Sequence, residues 1–281
     1  MAQIKSWTVS DDLWSKVEPL IPARRREPGR KYQRKAGAGR KPMASRQVFS
    51  AIVYVLRTGI QWKALPREFG SASAVHQYFQ NWYRAGFFRK LWQAGLAEYD
   101  GMHGIAWQWQ SADGAMGKAP LATECVGPNP TNPGKKGRKR SLLVDGRGLS
   151  LSIAVSGANL HDSKLLNRTL AQVAVPRPEV TGWKNYQYLC LDAGYVGYPV
   201  SKVARKHHYH PRVKSRAEER LIKYRYPDSK PRRWVVERTH SWLNRHRKLL
   251  VSFKKTEASY TPLLQLAAAL VCWRQTIIIH G

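Results

Sequence analysis

Three acidic residues in this 281-residue chain fall where catalytic carboxylates are useful. Asp192 closes the apolar run that starts at Tyr188, and Gly194 breaks the pattern just after it. The run reads as a buried strand ending on a carboxylate, and α/β proteins place their chemistry at the carboxyl ends of strands. Asp113, followed by Gly114, closes a segment from 105 to 112 that alternates around Trp107 and Trp109. Glu237 belongs to the helical stretch Arg-Arg-Trp-Val-Val-Glu-Arg-Thr-His-Ser-Trp-Leu-Asn from 232. At helical spacing Val235, Thr239, Trp242 and Leu243 share the packing face, and Glu237 shares the opposite stripe with Arg233, His240 and Asn244. Convergent carboxylates repel one another and stay together only around a cation. Hard oxygen donors without thiols favour Mg²⁺, with Mn²⁺ as a substitute. Two such ions about 4 Å apart activate a water or a 3′-hydroxyl and stabilise the leaving oxygen in phosphodiester cleavage. His161-Asp162-Ser163 reads as a helix cap.

The partner of such a site is written in the charge. The formal net charge is +30 and the pI about 10.5. That excess excludes an ordinary enzyme of small metabolites and points to a polyanion. An arm at 22–43 carries Arg24, Arg25, Arg26, Arg30, Lys31, Arg34, Lys35, Arg40 and Lys41, and is expected to lie against phosphates. A second cluster, Lys135, Lys136, Arg138, Lys139 and Arg140, falls in a Gly/Pro/Lys loop expected over 117–140. The cysteines, Cys125, Cys190 and Cys272, form no CxxC pair and read as free thiols of a reducing compartment. The N-terminus is not a signal peptide, and the apolar stretch from Leu263 to Ile279 carries Gln265, Arg274 and Gln275, so it reads as a buried helix and not a membrane span.

The elements that must position these groups fall into two parts. Residues 1–104 read as all-α. Val48, Ile52, Val55 and Leu56 mark one buried helix. A second helix over 74–85 turns His76, Gln77, Gln80, Asn81 and Arg84 outward, in an order that resembles a helix-turn-helix reader. From 105 to 281 the period changes. Strands over 105–112, 141–144 and 149–155, with a turn at Asp145-Gly146, precede a helix, the Asp192 strand, a helix, a short strand at 209–213 and the Glu237 helix. Three hairpin-linked strands followed by alternating α and β form the ribonuclease-H-like arrangement, a mixed sheet with helices on both faces. In it the first and fourth strands are neighbours, which brings Asp113 beside Asp192.

At these residues the chain resembles the DDE transposases of bacterial insertion sequences, in the branch around insertion sequence five. The motifs are Gly-Pro-Asn-Pro-Thr-Asn-Pro-Gly-Lys-Lys-Gly from 127, Leu-Leu-Val-Asp-Gly-Arg-Gly from 142 and Gly-Ala-Asn-Leu-His-Asp from 157, together with Leu-Asp-Ala-Gly-Tyr from 191 and Arg-Trp-Val-Val-Glu-Arg-Thr from 233. The stretch from Tyr54 to Pro66 is similar to the family's DNA-binding domain. The resemblance implies that Asp113, Asp192 and Glu237 are the triad, holding two Mg²⁺ ions. Of the related Tyr-x₂-Arg-x₃-Glu-x₆-Lys signature, Arg233 and Glu237 fit, while Lys230 and Asn244 replace the Tyr and the Lys; Arg245 and Lys248 are the candidates for the lost Lys contact. It further implies binding of duplex DNA at terminal inverted repeats, cleavage at the element ends, joining of 3′-hydroxyls to target DNA, at least a homodimer on the DNA, and a bacterial cytoplasm with nucleoid association. A ribonuclease-H-like nuclease or resolvase, or a DNA-binding regulator on the same scaffold, are the alternatives.

Overall fold

Local chemistry starts and stops the helices of the first part. The computed structural model describes residues 6–23, 29, 31, 33, 41–180, 186–226 and 232–278. Ser10 caps α1 (Asp11–Val17), its Oγ accepting from the Leu13 N–H at 3.2 Å, and Ser71 caps α3 (Ala72–Arg84) in the same way. Between them α2 (Ser45–Thr58) buries Val48, Phe49, Ile52, Val55 and Leu56, and ends at Gly59 in the left-handed conformation, φ 79°. Two short 3-10 turns, Trp62–Ala64 and Arg67–Phe69, separate α2 from α3. Helix α4 (Phe87–His103) follows at once.

The second part is a mixed sheet. Its strands are β1 (Trp109–Lys118), β2 (Gly127–Pro128), β3 (Lys136–Val144), β4 (Ser150–Gly157), β5 (Tyr188–Leu191) and β6 (His210–Val213). Strand β1 lies between β3, antiparallel, and β5, parallel; β4 pairs with β3 and β6 with β5. The order β4-β3-β1-β5-β6 is that of the ribonuclease-H-like fold. The helices are α5 (Asp162–Ala171), α6 (Tyr198–Lys206), α7 (Arg216–Arg225), α8 (Trp234–Asn244), α9 (Arg247–Leu250) and α10 (Glu257–Ile278). Helix α7, opened by a Ser215–Glu218 capping box, stands between the short strand and the Glu237 helix, where the sequence pattern predicts no element.

Two boundaries differ from expectation, for one reason. Strand β1 does not stop at Asp113: Asp113 and Gly114 are mid-strand, paired with Leu142 and Ser141, and β1 runs on to Lys118 against a β3 that starts at Lys136. Asp-Gly is a turn signal only where no partner strand takes its backbone groups. Here β3 takes them. At Asp145-Gly146 the turn does form. The buried Asp145 carboxylate accepts from the N–H groups of Arg147 and Leu149 at 3.0 and 2.8 Å, and from that of Ala106 at 3.1 Å.

One hydrophobic core runs through both parts. Helix α10 is its spine and buries Leu263, Leu264, Leu266, Ala267 and Trp273. Helix α4 lies on it closely enough that a Cβ at Gly95 would stand 3.0 Å from the Trp273 indole nitrogen. Trp92 of α4 donates to the Ser150 carbonyl at 3.0 Å, which ties the helical part to β4. No helix among the described residues is long and apolar enough to cross a membrane.

Candidate active site

The β1–β5 register brings the two aspartates together. Trp109 pairs with Tyr188 and Ser111 with Cys190 in parallel. The Trp109 and Tyr188 rings stack at 4.3 Å, so paired residues share a face. Continued two residues past the last pair, that register carries Asp113 toward Asp192, and the Asp192 charge acts on the Asp113 carboxyl. Asp192 follows the last residue of β5 and caps a 3-10 turn, Ala193–Tyr195, with its Oδ1 accepting from the Gly194 N–H at 2.6 Å. The turn fixes one carboxylate oxygen.

Asp113 is half-buried, and its carboxyl is pushed up to about 6. Burial is the main cause, opposed by a hydrogen bond from the Gly114 backbone, and the charges of Asp162, Asp192 and Glu237 raise it further. Four acids therefore share one field, and Asp162 is the strongest of the three acting on Asp113. Its position explains this. A Cβ on Gly114 would lie 1.9 Å from Asp162 Oδ1, so the missing side chain of Gly114 is the seat of the Asp162 carboxylate. The other oxygen accepts from Lys139 Nζ at 3.1 Å, while Oδ1 is buried without a partner. The hydroxyl of buried Tyr195 is also unpartnered and lies in the field of Asp162, Asp113 and Asp192. The cap of α5 is His161, not Asp162. The signal that could have found Asp162 was the Gly after Asp113, which admits a second carboxylate beside the first.

Glu237 is 57% exposed and pairs with Arg233 one turn earlier at 3.1 Å. An exposed i,i+4 pair is worth only about 0.3–0.5 kcal/mol, so it is a weak restraint on Glu237. Beneath Glu237, buried His240 is held neutral, pushed down to about 3 by burial and then by Arg140. The donor chemistry fits a hard divalent cation: carboxylate oxygens only, one desolvated and crowded by like charges, one with an orphaned oxygen. The set is not closed. Among the described residues no three Asp, Glu, His or Cys side chains converge closely enough to hold an ion. Glu237 is drawn to Arg233 and Asp162 to Lys139.

The basic residues divide sharply. Arg24, Arg25, Arg26, Arg30, Arg34, Lys35 and Arg40 lie outside the described residues, whereas Lys31, Lys41, Gln77, Arg84, Lys135, Lys136 and Arg245 are exposed. Gln80 is half-buried, and Gln77 and Arg84 both donate to Asn81 Oδ1. The remainder do not stand free, which corrects the reading of a basic loop. Arg138, 2% exposed, donates to the carbonyls of Glu124 and Lys255 and to Ser252 Oγ. Lys139 donates to the Leu160 carbonyl and Asp162, and Arg140 to Asn244 and the His240 carbonyl. Lys248, 7% exposed, donates to the carbonyls of Gly59 and Ile60 and does not replace the missing signature lysine. His76 is not on the outer face: its ring packs 5.0 Å from Trp62 and burial lowers its basicity. The arginines and lysines among them have long apolar stems and partners inside the fold, and charge alone does not reveal that.

Comparison with known proteins gives the family. Residues 9–92 match a family described as "Putative transposase of IS4/5 family", and residues 111–272 match the "Transposase DDE domain". The chain is similar to the "Putative transposase for insertion sequence element IS402" of Burkholderia cepacia, 29% identical over 156 residues, covering 53% of this chain and 68% of that protein. It is also similar to the "Insertion element IS402 uncharacterized 16.2 kDa protein" of the same organism, 30% identical over 124 residues, 43% of this chain and 80% of the other. Among solved structures, the Mos1 transposase paired-end complex with left transposon end aligns over 86% of this chain and 82% of that one, at 13% identity and a TM-score of 0.28. The DDE-domain match spans more than half of the chain and contains Asp113, Asp192 and Glu237, and the protein belongs to the DDE transposase family.

Proposed function

We propose that Asp113, Asp192 and Glu237 are the catalytic carboxylates of this transposase, and that they cut duplex DNA at the terminal inverted repeats of its element and join the 3′-hydroxyl ends to target DNA. The β1–β5 register, which brings Asp113 toward Asp192, is the observation that carries the reading. Asp113 and Asp192 would hold divalent cations, Mg²⁺ in the cell with Mn²⁺ as a substitute, and Glu237 would join them on leaving Arg233. When bound, the ions supply an activated water or 3′-hydroxyl and stabilise the leaving oxygen.

The chain's own residues do the rest. The Gly194 N–H orients the Asp192 carboxylate. Asp162, anchored by Lys139, stands at the edge of the site as a positioning group for Asp113. Arg233, one turn before Glu237 on α8, is assigned to a phosphate at the DNA end. Residues 1–104 form the DNA-reading region, with the arm at 22–43 on the phosphates and Gln77 and Arg84 of α3 toward the groove. Residues 105–281 form the catalytic region. Lys135, Lys136 and Arg245 extend the phosphate track. Pairing two ends before cutting calls for at least two copies of the chain on the DNA, on the bacterial nucleoid.

The test is Mg²⁺-dependent nicking and joining of end DNA by the wild type, Asp113→Asn, Asp192→Asn and Glu237→Gln. Loss in all three variants with binding retained supports the reading. Unimpaired cleavage in any one removes that residue from the site, and cleavage without joining by the wild type turns the reading to a nuclease.

A further inference from the structure

Three arginines lie within reach of one another's charge where the helical part joins the sheet part, and none of them has an acidic partner among the described residues. Arg57 is on the last turn of α2, Arg245 closes α8 and Arg274 is near the end of α10. The seam is tight. Gly59 lies against α9 so closely that a Cβ there would stand 3.0 Å from that of Arg247, and Lys248 donates to the Gly59 and Ile60 carbonyls. Arg57 is only 8% exposed and its Nε is buried without a partner. None of the three makes an ion pair among the described residues. Arg57 is pushed down to about 10 by burial and then by Arg274 and Arg245, and Arg274 is lowered by burial and then by Arg245. His246, buried beside Arg57, is held neutral and offers no negative charge.

Surface arginines on a basic protein are ordinary. A buried one, in the field of two others and with no counter-charge among the described residues, is costly unless an anion completes it. Guanidinium forks suit phosphate oxygens, which they bind in pairs. We infer that Arg57, Arg245 and Arg274 form a phosphate site at this seam, filled by one backbone phosphodiester of DNA. The inference rests on the transposase reading and deepens it, because a phosphate held there touches α2 of the DNA-reading region and α8 and α10 of the catalytic region at once. DNA binding would thereby lock the two parts together.

The test uses the full-length protein and a double variant, Arg245→Gln with Arg274→Gln, both exposed positions. A charge-matched control removes two exposed cations of α4, Arg89→Gln with Lys90→Gln. Two measurements are made: the rise in Tm with inorganic sulfate or phosphate, and the slope of log K against log salt for end DNA. The expected result is that wild type and control are stabilised by the anion and the double variant is not. The salt slope of the double variant should also fall below the control's by about one, the value for one lost phosphate contact. Identical anion response and slope in double variant and control overturn the site. An anion response without a slope difference assigns it to free phosphate and overturns the DNA assignment. Failure of the wild type to bind or cut end DNA, with the anion response intact, defeats the transposase mechanism and leaves the anion site standing.

Discussion

Replacing Asp113 by Asn is expected to make the metal-free protein more stable at neutral pH. The Asp113 carboxyl ionises near 3.8 in an unfolded chain and at about 6 in the folded protein. Below pH 3.8 it is neutral in both states and costs nothing. As the pH rises through 6, the unfolded chain ionises freely while the folded state must ionise a desolvated group that faces three other acids. Stability is therefore lost as pH rises across this window, the reverse of a salt-bridged aspartate. A shift of about two units corresponds to about 3 kcal/mol. Asn keeps the shape and the acceptor for the Gly114 N–H but carries no charge. Urea unfolding of both proteins, with a chelator present, should show a small difference at pH 4.5 and an Asn variant about 2–3 kcal/mol more stable at pH 7.5. Millimolar Mg²⁺ should raise the wild-type midpoint and leave that of the variant unmoved, because an ion that binds only the folded site stabilises it by mass action. A variant less stable than wild type at pH 7.5, or a gap that does not change with pH, would refute the crowded-carboxylate account.

Three further outcomes follow from the same contacts. Gly114→Ala drives a Cβ into the seat of Asp162 and should cost about 1–3 kcal/mol while weakening Mn²⁺ binding, read by thermal melts with and without the ion; unchanged Mn²⁺ affinity would show that Asp162 has no part in the site. Arg138→Lys cannot reach the Glu124 and Lys255 carbonyls and Ser252 together, so it should lower stability by about 2 kcal/mol yet leave the salt slope of DNA binding unaltered. Lys254, pushed down to about 7 by burial and then by Lys248, holds fewer protons folded than unfolded between pH 7 and 10.5. Wild-type stability should rise with pH over that range, and Lys254→Met should be more stable at pH 7 and lose that rise.

The sequence by itself determined the family and the fold class, pointed to a polyanionic partner, and singled out the three acids proposed as catalytic. These follow from residue types at fixed spacings: an apolar run ending on Asp192, a helical stripe carrying Glu237, an excess of cations. What it could not decide was everything that depends on a partner distant along the chain. Whether Asp113-Gly114 turns or stays extended depends on β3, which takes its backbone groups. Whether Arg138 and Lys248 meet DNA or hold loops depends on carbonyls more than a hundred residues away, at Lys255, Gly59 and Ile60. Asp162 read as a helix cap because its neighbour in the fold, the empty side of Gly114, is invisible until α5 packs on the sheet. The arginines of the seam come from three elements with no common motif. Spacing along a chain fixes what one element can present, and only packing fixes what it is presented to.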